Sequence, residues 1–452
     1  MLSFVYPATG AHHFTFPLFS IIPFIGILLS IAIVPLINNQ FWHKNYGRVS
    51  FFWSSLFLIP LLIIDTSFAI EELILVTFTE YIPFIVILLA LFTIAGGIEF
   101  KGSMVGTPKL NTGLILLGTS LASWMGTTGA AMLLIRPLIK ANRNRKFNVH
   151  VIIFFIFLVA NVGGALTPLG DPPLFLGFLN GVDFFWTTTN LFIPMLLHVI
   201  FLLSLFFLLD SYFYKREESL NIKPNIDNTS FRIDGKFNFI LLLGVLLSVM
   251  VSGMYDFGSF YISSVEIKIQ NISRDLILLC LAFLSWKITD KNLRQSNGFT
   301  WFPVLEVSKL FAGIFITIIP AISMLKMGSD GPLYKIVDLT TNLDGSNNDF
   351  MYFWLTGVLS GFLDNAPTYL VFFNAAGGSA SALMTDFPVT LLAISSGAVF
   401  FGALTYIGNA PNFMVRSIAE ESGIKMPSFF GYMGWSVVIL VPIFILYSIL
   451  FF

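Results

Sequence analysis

Two carboxylates stand where an apolar chain is locally broken. Asp171 lies in Thr167-Pro168-Leu169-Gly170-Asp171-Pro172-Pro173, and Asp364 in Leu363-Asp364-Asn365-Ala366-Pro367-Thr368. Pro172 and Pro173 remove two backbone donors and their rings clash with the preceding turn, so Thr167 to Pro173 cannot be regular helix. Carbonyls and amides are thereby freed beside the acid. A carboxylate at membrane depth is costly unless it is paired, protonated or facing water, which makes each acid a candidate proton or cation site. Competition between proton and cation for one carboxylate is the simplest way to exchange one for the other. Thr127 and Thr128 in Gly126-Thr127-Thr128-Gly129, together with Thr405 and Asn409, could add neutral oxygens. Simpler roles compete. Either acid can cap the helix that follows it, and Thr127, Thr128, Thr167 and Thr405 can bond back to helix carbonyls.

The elements that must position these residues are membrane helices. Of 452 residues, 56% are hydrophobic and 11% charged, whereas soluble domains carry about 25% charged residues. The 24 Lys+Arg and 25 Asp+Glu nearly cancel, so there is no basic field for nucleic acid. Five histidines show no metal-ligand spacing, which sets metalloenzymes aside. Cys280, alone in an apolar stretch, reads as core filler.

A hydrocarbon core of about 30 Å needs about 20 apolar residues per helix. Full spans are expected at 16–37, 50–68, 79–98, 150–180, 187–214, 237–254, 273–290, 303–325, 387–413 and 429–451. The first sixteen residues carry no Lys or Arg, so the first span is expected to be retained. Apolar segments 112–138 and 350–376 are interrupted near their centres and read as re-entrant hairpins. The fold class is an all-α polytopic membrane protein. Most Lys and Arg fall in alternate connections, which places those inside and the N-terminus outside. The first hairpin then opens to the cytoplasm and the second outward. Their non-helical tips must be buried in protein or line a water-filled cavity.

Gly164-Ala165-Leu166-Thr167-Pro168-Leu169-Gly170-Asp171 is echoed by Gly402-Ala403-Leu404-Thr405-Tyr406-Ile407-Gly408-Asn409 at a shift of 238 residues. The same shift carries Gly126-Thr127-Thr128-Gly129 onto Asp364-Asn365-Ala366-Pro367. An odd number of crossings separates the hairpins, so the second copy is inverted. Residues 1–214 form the first repeat (hairpin 112–138, broken helix 150–180) and 215–236 a cytoplasmic linker. Residues 237–452 form the second repeat (hairpin 350–376, broken helix 387–413). Inverted repeats with broken helices are the architecture of secondary transporters. The expected division of work is one cation site per half: Thr127, Thr128, Thr167 and Asp171 in one, Asp364, Asn365, Thr405 and Asn409 in the other. An intramembrane aspartyl protease would need two facing acids sharing a proton and has no use for duplicated Thr and Asn positions. Elsewhere, Glu306 and Lys309 are expected to pair, Arg136 to reach lipid head groups, and His198 to be a core histidine.

The sequence resembles the ion transporter superfamily, and within it the sodium/proton antiporters of the NhaD type and their relatives named as citrate transporters. The resemblance rests on Gly163 to Pro173, Leu363 to Thr368, Gly402 to Phe413, and Leu310-Phe311-Ala312-Gly313-Ile314-Phe315-Ile316-Thr317-Ile318-Ile319-Pro320. It implies inverted repeats, a cation site built from hairpins and broken helices, and a homodimer. Carboxylate-transporting members carry Ser-Asn-Thr at the hairpin tips, where this chain has Gly-Thr-Thr and Asp-Asn-Ala. The resemblance and the residues together lead to exchange of sodium or lithium for protons, with sodium- or proton-coupled transport of citrate or a related carboxylate as the alternative. The expected ion-binding set is Thr127, Thr128, Thr167, Gly170, Asp171, Asp364, Asn365, Thr368, Thr405 and Asn409, with Asp171 and Asp364 as sodium ligands. Cofactors are not expected, membrane lipid is the surrounding partner, and the expected location is a bacterial inner membrane.

Overall fold

The computed structural model describes residues 15–102, 104–218 and 232–452. The expectations for the first residues of the chain, and for most of the linker 215–236, lie outside that range.

Every expected span is built of helix, the two broken ones being interrupted before Pro172 and before Ala410. Among the described residues, eight helices are long and apolar enough to cross a membrane: Leu18–Ile37, Gln40–Ile64, Thr66–Ala95, Val149–Leu166, Trp186–Glu217, Phe237–Met254, Ile269–Ile288 and Phe429–Phe451. A ninth, Phe302–Thr317 with Ile319–Lys326, bends by 41° at its junction, beside Pro320, which deprives the preceding turn of a donor. The expected span 387–413 divides into Pro388–Phe401, a tight turn at Gly402–Leu404, and Ala410–Glu421. The helix expected at 50–68 instead starts at Asn39, because the Asn38 side chain accepts from Phe41 N at 2.9 Å and caps a polar first turn. Apolarity marks the part in lipid; capping marks where the helix begins. The first hairpin outgrows 112–138 for the same reason, running from Pro108 after the Thr107 cap to Ala141.

The window within Val149–Leu166 is 89% buried and that within Gln40–Ile64 only 22%, so the first broken helix is the axis of the molecule and the second long helix faces lipid. Cys280 is exposed on Ile269–Ile288 rather than packed in the core; lipid supplies its apolar surroundings. His198 is fully buried against Phe400 and Phe444.

The basic connections gather at one end. Strand Glu99–Lys101 pairs antiparallel with Arg232–Asp234, and Lys101 Nζ lies 3.0 Å from Asp234. Asn297 donates to the carbonyls of Gly96 at 3.1 Å and Ile98 at 2.6 Å. Arg136 Nε donates to Asn297 O at 3.0 Å, so its head is held by a protein loop rather than by lipid. At the same end a buried ionic network closes the first hairpin. Arg145 meets Asp210 at 2.6 Å and Glu217 at 2.9 Å, and His150 Nε2 lies 2.8 Å from Asp210. Asn111 of the hairpin donates to Asp210 at 2.9 Å and exchanges amide hydrogen bonds with Asn142.

Candidate ion-binding site

Each hairpin turns on a single residue of positive φ. In the first, Gly126 (φ 80°, ψ 146°) separates Pro108–Met125 from Thr127–Ala141. In the second, Asp364 (φ 80°, ψ 138°) separates Asp349–Leu363 from Asn365–Ala375. The broken helices repeat equally closely. Thr167 and Thr405 are extended, at φ −139° and −133°. Asp171 and Asn409 precede their half-helices at φ −145° and −150°.

The repeated threonines pin each broken helix to the hairpin of its own half. Thr167 Oγ1 donates to Ser123 O and Thr405 Oγ1 to Gly361 O at 2.6 Å, positions again related by the repeat. Gly170 is needed because a side chain there would overlap the Gly164 carbonyl; Gly408 meets Gly402 in the same way. Thr127 N then donates to Gly170 O at 2.9 Å. Thr368 bonds back to Asp364 O at 2.8 Å.

Asp171 stands at a cap position but caps nothing. Its Oδ1 accepts from Thr127 Oγ1 at 3.1 Å and from Asn409 Nδ2 at 2.9 Å, and its Oδ2 accepts from Asn365 Nδ2 at 2.6 Å. Two of these three donors belong to the other half. Residues expected in two separate half-sites are thus hydrogen-bonded to one another around Asp171, and Asn409 Nδ2 also reaches Ala160 O at 3.1 Å. Asp364 stands beside that centre through its neighbour Asn365, and its Oδ1 caps its own hairpin helix by accepting from Ala366 N at 3.2 Å. Asn365 Oδ1 is buried without a hydrogen-bond partner.

Three further residues build the centre and were passed over in the sequence. Asn161 Nδ2 donates to Ile156 O and to Asn412 Oδ1, both at 2.8 Å, where the first broken helix unwinds. Asn412 donates to Gly402 O at 2.7 Å and Thr405 O at 2.9 Å, holding the second break. Ser123 Oγ donates to Gly163 O at 2.5 Å. The signal available was an isolated amide inside an apolar run at Asn161, and a polar residue within a repeated block at Asn412.

A cavity of about 90 Å³ reaches Asp171, Thr127, Thr128 and Gly170 between the first hairpin tip and the helices Ile82–Ala95 and Phe302–Thr317. Its walls are mostly Phe, Leu, Ile, Val, Met and Pro, with Ser308 the further polar residue, and no Lys, Arg or His lines it.

Comparison with curated proteins gives no match to this sequence. A family model described as "Putative citrate transport" matches residues 13–452; with that reach, the chain belongs to this family and is a membrane transporter.

Proposed function

We propose that the protein exchanges sodium or lithium for protons at the centre around Asp171. The observation that carries this reading is that Asp171 is buried and meets only neutral donors, a hydroxyl and two amides. The helices beginning at Thr127, Pro172, Asn365 and Ala410 all start beside it, and their N-terminal dipoles offset part of a negative charge. None supplies a full counter-charge. A buried carboxylate without one is strongly disfavoured, and a proton or an alkali cation supplies it. Asn365 Oδ1 offers a second oxygen to the cation. Asp364 supplies the other carboxylate. Thr128 provides an oxygen on the cavity wall, while Thr167, Gly170, Thr368 and Thr405 hold the breaks in shape.

In this reading the two halves are inverted repeats, the basic end is cytoplasmic, the N-terminus is outside a bacterial inner membrane, and the cavity faces inward. The protein works as a homodimer. Coupled uptake of citrate or a related carboxylate is the second reading, favoured by the family's description and by the converging helix N-termini, which can hold a carboxylate without a cationic side chain. Proteoliposomes with a pH dye inside separate the two. External sodium or lithium alone should make the lumen alkaline, and potassium should not. A lumen silent to sodium but responsive to sodium with citrate would replace exchange by carboxylate uptake.

A further inference from the structure

We propose that the groove between the start of Asn39–Ile64 and the helix Phe302–Thr317 binds the phosphate of an anionic phospholipid. The groove encloses about 570 Å³ and is lined by His43, Lys44, Tyr46, Gly47, Arg48, Phe51 and Lys309. Lys44, Arg48 and Lys309 are cations, and no acid lines the groove. Glu306 accepts from Trp42 Nε1 at 3.2 Å and lies on the His43 and Tyr46 side, and the expected Glu306–Lys309 ion pair does not form.

Lys309 is set in place by the helix it crosses. Ser50 Oγ donates to Lys309 O at 2.6 Å, and the ammonium lies 5.4 Å from the Tyr46 ring centroid. A side chain on Gly47 would stand 3.0 Å from Lys309 Cδ, so the glycine floors the groove and lets the lysine stem lie across it. Three cations thus line one groove, with Arg48 Nη1 also donating to Asn45 Oδ1 at 3.2 Å.

The occupant is a lipid rather than a soluble anion because of what continues below. Lys44, Arg48 and Phe51 follow one another at helical spacing along a single stripe, which extends toward Ser55 and Ile59. Phe51 is 74% exposed and Ile59 55%, on a helix whose apolar run begins at Phe51, after the polar stretch that holds Lys44 and Arg48. Cations therefore sit at head-group level with an apolar wall running inward from them, matching a phosphate and its acyl chains. Basic pockets between membrane helices bind lipid head groups on this principle.

The test is native mass spectrometry of the full-length protein in detergent, titrated with phosphatidylglycerol or phosphatidylcholine. Wild type should retain phosphatidylglycerol in preference. The variant Lys44→Gln/Arg48→Gln/Lys309→Gln should weaken that retention by at least about tenfold, and Gly47→Leu, which fills the floor with every charge kept, should weaken it as well. Millimolar inorganic phosphate should not displace the lipid. Equal retention by wild type and both variants would overturn the proposal. So would displacement by free phosphate, which would make this a soluble-anion site, or a changed monomer–dimer ratio with lipid retention intact, which would make it a contact between copies of the chain.

Discussion

The two hairpins share a backbone and divide the polar work unequally. Both turn at φ 80°, on Gly126 in the first and Asp364 in the second. The first half places its carboxylate on the broken helix, as Asp171, and the second places its own at the hairpin tip. At the open ends the contrast widens. The first hairpin is closed by the buried network of Arg145, His150, Asp210 and Glu217. The second is closed by Asp349, which accepts from Thr390 Oγ1 at 2.5 Å, and by Asn347, which donates to Thr390 at 3.1 Å. The two breaks and the two hairpin turns share a backbone geometry and carry their charge at different positions. The consequence is one centre in which the amides of the second half serve the acid of the first.

The largest effect is expected at that acid. Asp171→Asn should reduce sodium-driven proton movement in proteoliposomes by at least about 100-fold, since a group that binds ligand directly is removed and its amide would face the amides of Asn365 and Asn409. The sharper test is the exchange Asp171→Asn/Asn409→Asp. If both halves feed one centre, the carboxylate now presented from the other broken helix restores a measurable part of the flux. No recovery, with the double variant folded, would return the protein to two independent half-sites.

How much of this was legible follows from the kind of signal each part leaves. Asp171, Asp364 and the breaks were readable because Pro172, Pro173 and Pro367 cannot continue a helix interior and because one shift of 238 residues relates Asp171 to Asn409. The spans were readable because lipid demands long apolar runs. The pairing of Asp171 with Asn365 and Asn409 was not readable, since a repeat fixes which residues correspond but not which ones touch across the two copies. Thr167 and Thr405, expected as ligands, donate their hydroxyls to hairpin carbonyls; a threonine beside a break has the same sequence in either role. The ionic network was hidden too, because Arg145, Asp210 and Glu217 fall in stretches that read as ordinary basic or helix-end positions. Only the packing of Trp186–Glu218 against the first hairpin makes them neighbours.

The unequal open ends should show in stability. Asp210→Asn removes the acid shared by Arg145, His150 and Asn111, and breaking a buried ion pair costs about 3–5 kcal/mol. The lower end applies here, because Glu217 remains 2.9 Å from Arg145. Asp349→Asn at the other open end removes one charge-assisted hydrogen bond in a half-buried position and should cost about 1 kcal/mol. Thermal unfolding in detergent measures both. Equal losses would mean that the two ends are held equally tightly and that the network does not distinguish the first hairpin.

The smallest expected stability loss is at the second hairpin tip, and it bears directly on Asp364. A side chain added at Gly126 would meet Leu169 O at 3.4 Å and Leu91 Cδ1 at 3.6 Å, which are ordinary contacts. Gly126→Ala is therefore charged only for its backbone, about 1–3 kcal/mol, because φ 80° with ψ 146° lies outside the left-handed helical basin in a region that is essentially glycine's own. Asp364 already bears that cost. Asp364→Gly relieves it, gives up a cap bond to Ala366 N worth a few tenths of a kcal/mol against glycine, and adds unfolded-chain entropy of about 0.5–1 kcal/mol. The relief equals or exceeds these losses, so the melting temperature should match or pass that of wild type. Transport should not. If strain at Asp364 persists because its carboxylate serves the ion, Asp364→Gly loses sodium-driven proton movement while remaining at least as stable as the parent. An Asp364→Gly protein that transports normally would show that Asp364 is a helix cap and nothing more. The contrast with Gly126, where the same backbone carries no carboxylate, would then be one of fold alone.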